Sequence, residues 1–90
     1  MAETGDTVGV VGLGYVGLPL ALAFTRAGYE VVGVDIDEQR VETLQAGISY
    51  VTDVADEEVE IALEEGFHPT TEYDALAGVA GVSVCVPTPL

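Results

Sequence analysis

Ninety residues allow one small domain. They carry sixteen acidic residues against two basic ones, Arg26 and Arg40, for a formal charge of −14, a balance that excludes nucleic acid as a partner. Yet 49% of the chain is apolar, so it can bury a core and is unlike the disordered segments that strong net charge usually marks.

Taken in chain order, the first element is Thr7 to Val11, a short and mostly β-branched run of the kind that forms a strand buried in a parallel sheet. A glycine turn follows. Gly12 permits the reversal, Gly14 lets the backbone approach a pyrophosphate with no Cβ in the way, and Gly17 lets the next helix lie against the strand. That helix is expected to start near Tyr15 and to end at Gly28. Its first-turn amides and the positive end of its dipole suit a diphosphate without any lysine. Pro19 sits where its missing N–H costs no hydrogen bond. Thr7 to Thr25 contains no charge and invites a membrane reading. Four internal glycines, Pro19 and the acidic flank at Glu3 and Asp6 oppose it.

A second apolar run, Tyr29 to Val34, delivers Asp35 to the carboxyl edge of the sheet, where an adenosine ribose presents its two hydroxyls. A carboxylate there accepts from both hydroxyls of NAD and repels the 2′-phosphate of NADP, so NAD is the expected cofactor. Asp37 is the expected N-cap of a helix with Val41 and Leu44 on its buried face, ending near Gly47. Arg40, in its first turn, has two readings on spacing alone: a contact with the adenosine end of the cofactor, or an exposed arginine paired with nearby acids. Ile48 to Val54 reads as loop. A helix from about Ala55 to Glu65 buries Val59, Ala62 and Leu63 and stops at Gly66.

Phe67 to Thr71 is expected to be a third strand, at the sheet edge because Pro69 cannot donate to a ladder. A short helix around Tyr73 to Leu76 leads to a fourth strand, Val82 to Val86. The order 3-2-1-4 puts that strand beside the first, so the loop beginning at Val86 borders the nicotinamide side of the cofactor. The fold class is therefore α/β, a Rossmann-type doubly wound parallel sheet that looks cut after its fourth strand. Cys85, the single cysteine, has no disulfide partner, agrees with a reducing cytoplasm and reads as a small core residue. His68, the single histidine, has no ligand cluster around it, and no metal is assigned.

Three blocks carry a family resemblance: Gly12-Leu-Gly-Tyr-Val-Gly-Leu-Pro-Leu-Ala21, Val34-Asp-Ile-Asp37 with Arg40-Val-Glu42, and Val84-Cys-Val-Pro-Thr-Pro-Leu90. In this order they resemble the N-terminal part of the UDP-glucose/GDP-mannose dehydrogenase family, the nucleotide-sugar 6-dehydrogenases. Pro19 and the closing Val-Pro-Thr-Pro-Leu are more similar to the branch acting on UDP-N-acetylhexosamines, such as UDP-N-acetylmannosamine, than to the UDP-glucose branch. Members oxidise the sugar C6 hydroxyl to a carboxylate in two NAD-dependent steps and hold the intermediate on a cysteine.

The resemblance implies that Gly12, Gly14, Tyr15, Val16 and Gly17 line the pyrophosphate and that Asp35 binds the adenosine ribose. It further implies that Arg40 contacts the adenine end and that Val86 and Thr88 border the nicotinamide-side ribose. The family's catalytic cysteine, its lysine and its substrate domain match nothing here. Residues 1–90 are thus expected to be the cofactor part of an enzyme that is a homodimer or larger, binding NAD weakly or not at all by themselves and not turning over. Two rivals remain: a regulatory nucleotide-sensing module of a potassium transport protein, and another dehydrogenase, such as a hydroxyacid enzyme, sharing only the first unit.

An acid-coated chain with a good core resembles the proteins of salt-accumulating microbes, whose concentrated cytoplasmic salt screens self-repulsion. Low stability in dilute buffer and marked stabilisation by molar KCl are expected. A melting temperature followed by circular dichroism across KCl concentrations tests this, and a flat profile would count against it.

Overall fold

The computed structural model describes residues 6–84. Four parallel strands form one sheet: β1 (Thr7–Val11), β2 (Glu30–Val34), β3 (Phe67–Thr70) and β4 (Gly81–Val84), in the order β3-β2-β1-β4. Helices α1 (Gly17–Arg26), α2 (Glu38–Gln45) and α3 (Asp56–Glu65) fill the crossovers before β3, and a single 3-10 turn, Tyr73–Leu76, lies before β4. The Rossmann-type order read from the sequence is thus observed.

The helices share one face of the sheet, where a single core gathers Val10 and Val31 from the strands, Leu18, Ala21 and Leu22 from α1, Leu44 from α2, and Val59 and Ala62 from α3. Phe67 of β3 completes it. Strand alternation sends every second residue the other way. On that opposite face the cover is thin: Leu76 and Val79 lie over β1 at Gly9, where an added Cβ would meet Leu76 Cδ2 at 2.5 Å. Val82 and Val84 of β4 stay exposed.

Element ends follow local chemistry. Asp37 caps α2 by accepting from the amides of Gln39 and Arg40. Glu58 reaches back to the Ala55 amide at the start of α3. Pro69 lies on edge strand β3, as its lack of an N–H requires, and its carbonyl accepts from the Gln45 side chain of α2 at 2.9 Å. That contact, together with the missing donor, blunts the free edge. β3 ends at Thr70, one residue earlier than expected. β4 begins one residue earlier, at Gly81, and is described as far as Val84. Cys85, Val86 and Thr88 lie outside the described residues.

The segment 48–54 is irregular, as expected, but it is not merely a surface loop. Val51 and Val54 are buried in the core, and Tyr50 packs against it. The acids coat α3, where Asp56, Glu57 and Glu58 open the helix at the positive end of its dipole. Arg26 of α1 pairs with Glu58 at 3.0 Å across an exposed surface, an ion pair of small energetic weight.

Gly33, in the middle of β2, leaves room for both Phe67 and Leu13 of the glycine turn. A Cβ there would meet Phe67 Cε1 at 2.8 Å and Leu13 Cδ2 at 3.0 Å, and both side chains are fully buried. Gly33→Ala is expected to cost about 1–3 kcal/mol through overpacking. Urea unfolding reads this as a lower midpoint, and an unchanged midpoint would show that the layer can give.

Candidate functional site

The parallel ladder brings the carboxyl ends of β1 and β2 together, and the polypeptide turns there twice. After β1, Gly12 adopts a φ of +96°, a conformation costly for residues with a side chain, and its amide donates to the Val34 carbonyl at 2.7 Å. The chain then rises through Leu13 and Gly14 into α1. The Leu18 amide bonds to the Gly14 carbonyl, and α1 begins at Gly17, two residues later than the start expected near Tyr15. Tyr15 and Val16 stand out into solvent, with 75% and 72% exposure. The amides of Tyr15, Val16 and Gly17 donate to no other group among the described residues. They are the open donors of the helix start. Pro19 falls in the first turn, where no intrahelical donor is required of it.

After β2, Asp35 turns inward. One oxygen, Oδ2, accepts from the Leu13 amide at 2.8 Å and from the Arg40 guanidinium at 3.3 Å. The other, Oδ1, accepts from the Asp37 amide at 2.9 Å. The side chain is only 7% exposed. Burial alone would raise its pKa, but the amides of Asp37 and Leu13 and the Arg40 guanidinium outweigh that and hold it below its ordinary 3.8. The carboxylate is therefore ionised and structurally engaged, a role that position at a strand end does not announce. One acceptor direction of Oδ1 remains unused.

Of its two sequence readings, Arg40 shows the pairing with nearby acids. It pairs with Asp35 and, more loosely at 3.8 Å, with Asp37, yet it also forms a wall of the crevice. Its guanidinium lies 5.6 Å from the centroid of the Tyr50 ring, within cation–π range. A Cβ on Gly14 would point at Arg40 Nη1 from 3.5 Å, so the glycine keeps the mouth between turn and arginine open. The Tyr50 hydroxyl donates to the Leu13 carbonyl. Burial lifts the Tyr50 phenol far above its ordinary 10.0; Arg40 opposes this, and Asp35 and Asp37 add to it, so the hydroxyl keeps its proton.

These residues enclose a crevice of about 320 Å³ lined by Gly14, Tyr15, Asp37, Gln39, Arg40, Thr43, Tyr50 and Val51. Of the residues singled out from the sequence, Gly14, Tyr15 and Arg40 line it. Asp35 is bonded to Arg40 of its wall, while Gly12, Val16 and Gly17 are not among the lining residues. Gln39, Thr43 and Tyr50 were not legible as site residues: the first two sit on the exposed side of α2, and Tyr50 lies in a stretch without periodicity. A larger groove between α1 and α3 holds the Arg26–Glu58 pair but gathers no open amides. No cluster of metal-ligating side chains occurs among the described residues.

The profile described as "UDP-glucose/GDP-mannose dehydrogenase family, NAD binding domain" matches residues 6–90. A UDP-N-acetyl-D-mannosamine dehydrogenase from Yersinia pestis is 36% identical over 85 residues, covering 93% of this chain and 20% of that protein. Among solved structures, a UDP-D-ManNAc dehydrogenase from Pyrococcus horikoshii superposes with a TM-score of 0.86 at 33% identity, over 93% of this chain and 21% of that one. A GDP-mannose dehydrogenase from Pseudomonas aeruginosa, solved as a ternary complex, gives 0.83 at 25% identity, over 91% and 20%. This chain thus spans about a fifth of the length of the relatives it matches.

The buried carboxylate provides a direct test. Because its folded-state pKa is lowered, Asp35 contributes stability that is fully present above 3.8 and is lost as pH falls through the folded value below it. Asp35→Asn is expected to lower unfolding free energy by about 2–4 kcal/mol at neutral pH, by orphaning buried amides and Arg40. In urea unfolding the gap between variant and wild type should shrink as pH drops below 3.8. A gap independent of pH would remove the ionised carboxylate from this role.

Proposed function

This chain belongs to the UDP-glucose/GDP-mannose dehydrogenase family, of which it matches the NAD binding domain, and from that premise we propose how its crevice holds the cofactor. The pyrophosphate rests on the turn formed by Gly12, Gly14, Tyr15, Val16 and Gly17, against the open amides of the helix start. The adenosine ribose lies at Asp35 and the adenine end beside Arg40. Val86 and Thr88, which follow β4, border the nicotinamide-side ribose.

Three features of these residues fit that group. The turn presents unused donors, Gly14 has no side chain to obstruct a phosphate, and Asp35 Oδ1 retains an acceptor direction for a hydroxyl. A second hydroxyl donating to Oδ2 would take the place of Arg40 there. The guanidinium, already resting on Tyr50, then turns to the adenine end. The single observation that carries the reading is this conjunction of open amides and a buried, ionised carboxylate across one crevice.

The whole protein, on this reading, is a nucleotide-sugar 6-dehydrogenase that oxidises a UDP-sugar of the UDP-N-acetylmannosamine or UDP-glucose class to its uronic acid. NAD, when bound, accepts the hydride removed at the sugar. The names of the relatives favour the UDP-N-acetylmannosamine branch. The described residues supply binding and orientation of the cofactor and no nucleophile, so the 90-residue chain alone is not expected to turn over a UDP-sugar. None of the relatives described above is a transport protein, and nothing favours the potassium-transport module. No described helix is long and apolar enough to cross a membrane. A place in the cytoplasm of a salt-accumulating organism, in polysaccharide biosynthesis and as a homodimer or larger assembly, completes the proposal; the net charge of −14 supports its saline part.

Calorimetric titration of the chain with NAD and NADP tests the cofactor assignment. Asp35 and Asp37 both face the adenosine end, and Arg40 is already paired with them, so a 2′-phosphate meets net negative charge. NAD is expected to bind about tenfold or more tightly than NADP, the equivalent of one to two unfavourable close charge contacts. Weak binding is expected of this part alone, and equal affinities would sink the reading.

A further inference from the structure

Leu13 stands between the two glycines of the turn, and both ends of its backbone are held by side chains from other elements. Its amide donates to Asp35 at the end of β2, and its carbonyl accepts from the Tyr50 hydroxyl on the α2–α3 connection. Its own side chain is fully buried in the core. Rotation of the peptide units around Leu13 would break one bond or the other. What such rotation would disturb is the direction of the amides that follow, from Gly14 to Gly17, the donors offered to the crevice.

Tyr50 does a second thing at the same place. Its ring lies under the Arg40 guanidinium, at 5.6 Å, and both residues line the crevice. Arg40 has a long side chain that must otherwise be held by two carboxylates alone, one of them half-exposed. A ring beneath it limits where the guanidinium can go when Asp35 exchanges it for a hydroxyl.

We propose that Tyr50 is a positioning residue of the cofactor site, fixing the phosphate-facing turn through the Leu13 carbonyl and the adenine-end arginine through its ring. Tyr50 links segments that no backbone ladder joins: the turn after β1 and the connection after α2. The two contacts are separable, since the hydroxyl serves the turn and the ring serves Arg40. The persistently protonated phenol is consistent with the first contact at any physiological pH.

Separability supplies the test, which rests on the NAD reading for its binding arm and is independent of it for the other. Tyr50→Phe keeps the ring and loses the hydroxyl, and Tyr50→Leu loses both. In calorimetric and NMR titrations of the 90-residue chain, Tyr50→Phe is expected to weaken NAD about five- to tenfold, the worth of one hydrogen bond. Adenosine, which has no phosphate, should change by less than about twofold in that variant, while Tyr50→Leu weakens both ligands, by a further factor of about three to ten for NAD.

In the ligand-free chain, amide exchange at Leu13 should quicken about tenfold in Tyr50→Phe, because local opening loses one bond of its protection. Thermal unfolding of each variant supplies the folded fraction to which affinities are referred. Equal losses for NAD and adenosine in Tyr50→Phe, or Leu13 exchange unchanged from wild type, would overturn the proposal. If wild type binds NAD too weakly to titrate, the Leu13 exchange rates decide whether the clamp exists, and rates unchanged in Tyr50→Phe overturn it.

Discussion

The whole site depends on one buried carboxylate. Taking an ion out of water is costly, and in this protein the cost is offset by donors that had to be fixed anyway. The Leu13 amide belongs to the turn after β1, the Asp37 amide to the entry of α2, and the Arg40 guanidinium to the first turn of that helix. Each would otherwise lack a partner or move freely. Asp35 therefore ties two strand ends and a helix start to a single point, and the parallel register of β1 and β2, with Val11 beside Val34, puts that point at the edge of the sheet. The crevice exists because these turns cannot drift apart.

A chain with a net charge of −14 is an unlikely host for a diphosphate if charge is summed over the whole molecule. Distance decides otherwise. At physiological ionic strength, charges much beyond about 8 Å are largely screened, while amides at hydrogen-bond distance are not. The acids of α3 lie along a helix that lines no part of the crevice. Those near the site, Asp35 and Asp37, are each engaged by amides and by Arg40. What an approaching phosphate meets first on the proposed reading is the open end of α1 with its dipole, a source of positive potential that needs no lysine. The acidic coat and the anion site can coexist because they act over different ranges.

Most of the fold was legible because its signals are local. The β-branched runs, the glycines after each helix and Asp37 as a cap each follow from the conformational needs of a few adjacent residues, and the strand order followed from the edge signal of Pro69. The glycine turn and the acid beside it were legible for the same reason, as a spacing. What stayed hidden depends on partners distant in the chain. Asp35 reads as a free carboxylate until the Leu13 amide, 22 residues away, is placed against it. Tyr50 reads as a loop aromatic until its hydroxyl meets Leu13, 37 residues away. Arg40 left two readings open, and the folded chain shows the pairing with Asp35 and Asp37 at a position that also lines the crevice.

Two acids stand at the end of β2, Asp35 and Asp37, and they have different work. The chain bends at Ile36, which is 77% exposed, and the Asp37 amide bonds to the Asp35 side chain, so both carboxylates come close to Arg40. Like charges so placed repel unless something stands between them, and Arg40 does, bonded to Asp35 and close to Asp37. The pairing neutralises the arginine as much as the acids. A free guanidinium at this position would be a ready partner for an additional phosphate, since arginine suits that group through its fork of donors. An arginine held by two carboxylates offers that fork only if one lets go, and a hydroxyl can take its place on Asp35 where a phosphate cannot. On the proposed reading, selection of the cofactor's ribose rests on an exchange of partners at one carboxylate oxygen, and the second acid makes that exchange unfavourable for a group carrying further negative charge.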